Sequence, residues 1–144
     1  METYIHYGHK NFERNLFLPI QNGYFLSKPT GGLWASNIKA KWGWKDWCKS
    51  EHFRDCNTSN SFSFTLSNKA KILRITSAEQ LKLIPQIKSN FPFLSWVLPD
   101  FEELAKEYDA IEVYISYSWK LYCDLYGWDC DSILIMNPDI IKVI

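Results

Sequence analysis

Across 144 residues this sequence has no excess of charge of either sign: sixteen Lys and Arg balance sixteen Asp and Glu. A neutral chain sets up no overall field to draw in nucleic acid or an acidic membrane surface, so any such contact would need a local patch. No apolar run approaches the roughly 18–20 residues of a spanning helix, which argues against a membrane protein. The opening Met1-Glu2-Thr3-Tyr4-Ile5-His6 lacks a basic stretch followed by an apolar one, so no secretory signal is expected. The four cysteines, Cys48, Cys56, Cys123 and Cys130, form no CxxC pair. Reduced thiols and a cytoplasmic location follow as expectations. Glycine is sparse, with six residues, and neither GxGxxG nor GxxxxGK[ST] occurs, so the usual phosphate-cradling loops are missing.

What the chain has in abundance is aromatic side chains, 17% of all residues and seven of them Trp. Large rings bury much area each, so most belong in a core, with a few to spare for stacking on a ligand. The length suits one domain over residues 1–144, burying roughly 68–70% of its extended-chain surface. No repeat, low-complexity tract or linker divides it.

Local patterns read as a mixed order of elements. Thr3–Tyr7 is β-prone, and a short helical piece over Phe12–Phe17 precedes loop around Pro19 and Asn22-Gly23. Lys28-Pro29-Thr30-Gly31-Gly32 is a turn, followed by a strand over Leu33–Ser36. Ala40–Phe53 looks helical, with Trp44, Trp47 and Cys48 on one stripe. Asp55–Asn60 is polar loop. Phe62, Phe64 and Leu66 alternate with polar residues at strand period, and Lys71–Thr76 is a strand close behind. Ser77 with Gln80 forms a capping box before a helix that Pro85 disturbs; Asp100 with Glu103 repeats it before Leu104–Tyr108. Ile111–Ile115 is a strand, and Trp119–Tyr126 a helix closed by Gly127. Ser132–Met136 is a strand, and Asn137-Pro138-Asp139 turns into a last one over Ile140–Ile144. Six or seven strands and three or four helices without strict alternation imply an α+β fold.

Three distant segments combine residues suited to chemistry. Tyr4-Ile5-His6-Tyr7-Gly8 sets a histidine at a strand end before a glycine that lets a ligand near the backbone. Gly32-Leu33-Trp34-Ala35-Ser36 precedes the Trp-rich helix. Asp129-Cys130-Asp131 precedes the apolar Ser132-Ile133-Leu134-Ile135-Met136 and Asn137-Pro138-Asp139. Each has a plain structural reading: a hydrogen-bonded surface histidine, a core Trp stripe, a turn carboxylate.

In this order the segments resemble the ADP-ribosyltransferase superfamily, in its diphtheria-toxin and poly(ADP-ribose)-polymerase branch with the His-Tyr-Glu pattern. The resemblance implies a split mixed or antiparallel sheet flanked by helices, with NAD as substrate and no metal. It places His6, Tyr7 and Gly8 on the adenosine ribose and nicotinamide amide, and Trp34, in the tyrosine's place, against the nicotinamide. Trp44 would supply a second stacking face, with Trp47 as the alternative, and Ser36 a hydrogen bond near the ring. Asp131, where the family usually has glutamate, would stabilise the oxocarbenium-like state reached when the nicotinamide–ribose bond breaks; Asp129 competes for that role. The implied activity is transfer of ADP-ribose to a macromolecule, protein or nucleic acid, or NAD hydrolysis, as in a bacterial or phage toxin or counter-defence effector. The segment between Asp55 and Tyr126 adds little to the resemblance.

Other readings stand beside it. The same fold with an inactive site would be an interaction module that binds a protein partner through exposed aromatics. Cys48, His52 and Cys56 recur every fourth residue, so one helical face could offer three zinc ligands, although no fourth is evident. Lys39-Ala40-Lys41-Trp42-Gly43-Trp44-Lys45 interleaves cations with aromatics, as nucleic-acid binders do.

Overall fold

The computed structural model describes residues 1–144. Seven strands form one sheet: β1 (Tyr4–Tyr7), β2 (Leu33–Asn37), β3 (Ser61–Leu66), β4 (Ile72–Ile75), β5 (Ala110–Val113), β6 (Ser132–Ile135) and β7 (Ile141–Val143). Their order across the sheet is β4-β5-β6-β2-β1-β3-β7. Every pairing is antiparallel except β4 with β5, which is parallel. Three short α-helices accompany them: α1 (Trp44–Glu51), α2 (Phe101–Leu104) and α3 (Trp119–Asp124). The architecture is α+β, and no helix is long and apolar enough to cross a membrane.

Side-chain alternation builds a core on each face of the sheet. Ile111, Val113 and Leu134 point to one side, where Leu121, Leu125, Trp128, Phe101 and Leu104 from the helical segments cover them. Ala110, Ile133 and Ile135 point to the other and pack with Tyr4, Phe64 and Ile140. All residues of β5 and β6 are buried, as expected of central strands covered on both faces. One of them is charged: Glu112 accepts from Arg74 Nε at 3.0 Å across the parallel pair, which keeps the buried carboxylate compensated.

Local signals mostly locate the elements but overstate their helical lengths. Asp100 caps α2, its side chain accepting from the Glu103 amide at 3.1 Å, yet the helix is one turn long and starts at Phe101 rather than Leu104. The Ser77–Gln80 box forms, with Gln80 Oε1 accepting from the Ser77 amide at 3.1 Å. The segment it opens, Ala78–Leu83, is 3-10 rather than α, and Arg14–Leu16 likewise forms only a 3-10 turn. The helix expected from Ala40 begins at Trp44, because Gly43 takes an extended conformation and the Asp46 carboxylate accepts from its amide at 2.9 Å. It ends at Glu51, with His52 in the left-handed region at φ 51°.

The turn before β2 is tight. Gly31 has φ +84°, and a Cβ there would lie 2.1 Å from the Pro19 carbonyl oxygen. Only glycine lets the segment 28–32 pass so close to 18–19 and deliver the chain into β2.

Candidate functional site

The sheet parts where β1 leaves β2. Tyr4 pairs with Asn37 and Ile5 with Ser36; the same register would set His6 against Ala35 and Tyr7 against Trp34. Those pairs do not form. β1 instead follows β3 to Tyr7 opposite Ser61, while Leu33–Ala35 follow β6. A cavity of about 280 Å³ opens beside this gap, lined in part by His6, Tyr7, Trp34 and Trp44. Strand-end and helix-start residues up to 38 positions apart (Trp44 minus His6) thus converge on one site.

His6 closes the gap with its side chain. Its Nδ1 lies 2.7 Å from the Trp34 carbonyl oxygen, which can only accept, so Nδ1 carries the proton. In the neutral ring Nε2 is then left to accept from His9 Nδ1 at 3.0 Å. The two imidazoles stack with centroids 5.3 Å apart. Burial lowers the His6 pKa below the ordinary histidine value, and the charges of His9 and Arg54 act in the same direction against the Trp34 carbonyl. A neutral, oriented imidazole sits at the cavity edge.

The tryptophans do not form the parallel slot expected of a nicotinamide clamp. Trp34 and Trp44 meet edge to face, centroids 6.3 Å apart at 72°. Trp34 rests in turn on buried Trp128 at 4.7 Å and 67°. Trp47 continues the cluster against Trp44 and lines the cavity as well. Over both Trp34 and Trp44 lies the Lys28 ammonium, 4.7 and 4.8 Å from the ring centroids. A cation already faces the indoles. Burial lowers the Lys28 pKa, Asp129 opposes that shift, and the Arg54 charge adds to it.

Lys28 is placed by the residue before it. Ser27 is fully buried; its amide donates to the Tyr126 carbonyl at 2.9 Å and its carbonyl accepts from Trp128 Nε1 at 2.6 Å. The far rim comes from the chain after α1. Phe53 donates its amide to the Cys48 carbonyl at 3.0 Å and packs on Trp47, which turns Arg54 toward the cavity. Cys48 and Cys56 complete this side. Burial and the neighbouring Cys48 thiol push Cys56 up to about 12, so it is held as a thiol rather than a thiolate.

Two expected site residues, Ser36 and Asp131, lie outside the cavity lining. Ser36 Oγ donates to the Asp131 carbonyl at 2.8 Å and accepts from the Trp44 amide at 2.9 Å. It ties the start of α1 to the approach of β6 and does not line the cavity. Asp131 is buried, and its carboxylate accepts from the Ser116 amide at 2.9 Å and the Ser116 hydroxyl at 2.6 Å. That bond pair turns the side chain away from the tryptophans, so the structure does not bring Asp131 to the cavity. Asp129, half-buried, is the acid near Lys28; burial raises its pKa, Lys28 opposes this and Glu51 adds to it. Gly8 lies at the rim with φ +123°, a Cβ there falling 3.7 Å from His6 Nε2 and 3.5 Å from Arg54 Nη1.

No group of three or more His, Cys, Asp or Glu side chains is placed to hold a metal ion. Cys48, His52 and Cys56 do line one open surface groove together, with Cys48 and Cys56 also on the cavity, but they are not placed to hold a metal ion. Comparison with protein-family models, curated proteins and solved structures finds no match for this chain.

Reading the residues alone left out Lys28 and Arg54. Lys28 stands in a stretch legible only as a turn, and Arg54 just beyond a fading helix. The one available hint was a cation directly before Pro29-Thr30-Gly31-Gly32, a tight turn that feeds the Trp34 strand.

Proposed function

We propose that the cavity at the parted sheet binds NAD and that the chain is an ADP-ribosyltransferase-like protein, cleaving the nicotinamide–ribose bond and passing ADP-ribose to a macromolecule or to water. The observation that carries this reading is the convergence of His6, Tyr7, Trp34 and Trp44, with Gly8 at the rim, on one cavity beside a split in the sheet. Those are the residues that the resemblance to the superfamily marks for NAD. Both ring nitrogens of the neutral His6 are engaged, Nδ1 by the Trp34 carbonyl and Nε2 by His9, so a ribose hydroxyl would bond to Nε2 by displacing His9.

In this proposal the acidic role falls to Asp129 rather than Asp131. A carboxylate near the breaking bond stabilises the positive charge that develops on the ribose, an effect on the order of 3–4 kcal/mol for a well-aimed group. Asp129 is partly accessible and near Lys28, whereas the Asp131 carboxylate is occupied by Ser116. A second reading, NAD binding without turnover, is favoured by one specific feature: the cavity lining contains no carboxylate.

The test is release of nicotinamide from NAD by purified protein, with cell lysate supplying acceptors, for wild type, Asp129→Asn and Trp34→Ala. Release by wild type that both substitutions abolish supports the transferase. Binding of NAD without release supports the second reading, and absence of binding refutes both.

A further inference from the structure

We propose that Lys28 and Arg54 form an anion clamp in this cavity, taking a phosphate group of an organic ligand. The shared chemistry has two sources, the diphosphate of NAD or a phosphate carried by the acceptor. The clamp stands on the cavity itself; assigning it to either source rests on the NAD reading above.

The two cations line one cavity from separate segments, Lys28 from the turn before β2 and Arg54, its guanidinium over the Phe53 ring at 4.8 Å, from the segment after α1. Neither closes an ion pair within the protein, and no Asp or Glu shares the lining with them. As like charges on one lining they repel one another, and the Arg54 charge adds to the burial that lowers the Lys28 pKa. Asp129 lies near Lys28 without closing an ion pair with it, and a partly desolvated ammonium that no carboxylate pairs directly is costly to hold in a fold. Here it is nevertheless fixed, by the buried Ser27 and by two indole faces at 4.7 and 4.8 Å.

An orphan donor accompanies them. The Trp44 indole N–H is buried without any acceptor in the protein, although such groups are nearly always paired. That N–H is closed off from the cavity, and the match to the oxygens of a phosphate comes from the point-charge ammonium and the forked guanidinium on an apolar-walled space. The space, about 280 Å³, is at the small end for ligand sites, so a dinucleotide held here would lie only partly within it.

The experiment is titration calorimetry with inorganic pyrophosphate, then NAD, on wild type, Lys28→Met, Lys28→Arg, Arg54→Gln and, as a control, Lys41→Met on the exposed surface. Thermal melts establish that each protein is folded. Pyrophosphate binding at one site, weakened at least about tenfold in Lys28→Met and Arg54→Gln, largely retained in Lys28→Arg and unchanged in Lys41→Met, is the expected result. Displacement of pyrophosphate by NAD assigns the clamp to the diphosphate; simultaneous binding of both assigns it to the acceptor. No pyrophosphate binding by folded wild type, or binding indifferent to both substitutions, overturns the clamp. Nicotinamide release that persists undiminished in Lys28→Met and Arg54→Gln overturns the assignment to the NAD diphosphate while the NAD reading stands. Pyrophosphate binding without any NAD binding overturns the NAD reading while the clamp stands.

Discussion

Replacing Asp131 with alanine separates a structural carboxylate from a catalytic one. The side chain is buried and accepts two hydrogen bonds from Ser116, at 2.9 and 2.6 Å. Bonds to a charged acceptor contribute about 1.5–3 kcal/mol each, so the pair at face value amounts to about 3–6 kcal/mol. Two effects reduce this. Ser116 is exposed, so water can take over its freed donors, and removing a buried carboxylate also removes its desolvation penalty. A net destabilisation of about 2–3 kcal/mol remains, which at this length lowers Tm by roughly 4–12 °C. Asp131→Ala should therefore melt earlier by that amount, followed by circular dichroism. Its NAD affinity, measured by calorimetry below the lowered Tm, should stay within about twofold of wild type. An Asp131→Ala protein that melts within a degree of wild type but has lost nicotinamide release would refute this reasoning and return Asp131 to the reacting centre.

Three further outcomes follow from the same geometry. The His6 pKa is lowered mainly by burial, so below about pH 6.5 the unfolded state binds the extra proton and stability falls with pH. His6→Asn, whose amide can still donate to the Trp34 carbonyl, should flatten the difference in Tm between pH 7.5 and 5; an unchanged slope would show that His6 does not drive it. Gly31→Ala forces a Cβ to 2.1 Å from the Pro19 carbonyl at φ +84° and should cost more than about 3 kcal/mol. Thr30→Ala beside it should stay within about 1 kcal/mol by denaturant melts, and equal midpoints for the two would contradict the packing described. His52 ends α1 at φ 51°, so His52→Gly should stabilise the fold by about 0.5–1 kcal/mol, whereas a lower denaturation midpoint would show that its side chain contributes more than the strain removes.

Much of the scaffold could be read from residues a few positions apart. Alternation at Phe62 and Phe64 located β3, both rings being buried in the sheet. The aliphatic run Ile133-Leu134-Ile135 announced a strand, which the fold buries throughout, and Asp100 its helix start. These succeed because side-chain period and capping act within one or two turns of chain. The mixed order of strands and helices likewise implied an α+β arrangement, and the composition a few aromatics to spare beyond the core. Helix lengths were less legible, since short turns such as Ala78–Leu83 end where tertiary packing takes over from propensity.

The site itself depended on contacts that no local pattern encodes. Asp129 and Asp131 differ by two positions, yet the second is turned away by Ser116, fifteen residues earlier, while the first lies by Lys28, a hundred residues earlier. Whether Trp34 and Trp44 lie parallel or edge to face is decided by Trp128 and by the cation above them. Sequence alone determined which residue types were available at strand ends; only the folded sheet, parting after Ile5 opposite Ser36, decided which of them share a cavity. The physical reason is that strand pairing and side-chain direction across a split sheet are long-range properties, set by which strands β1 and β2 follow once they separate.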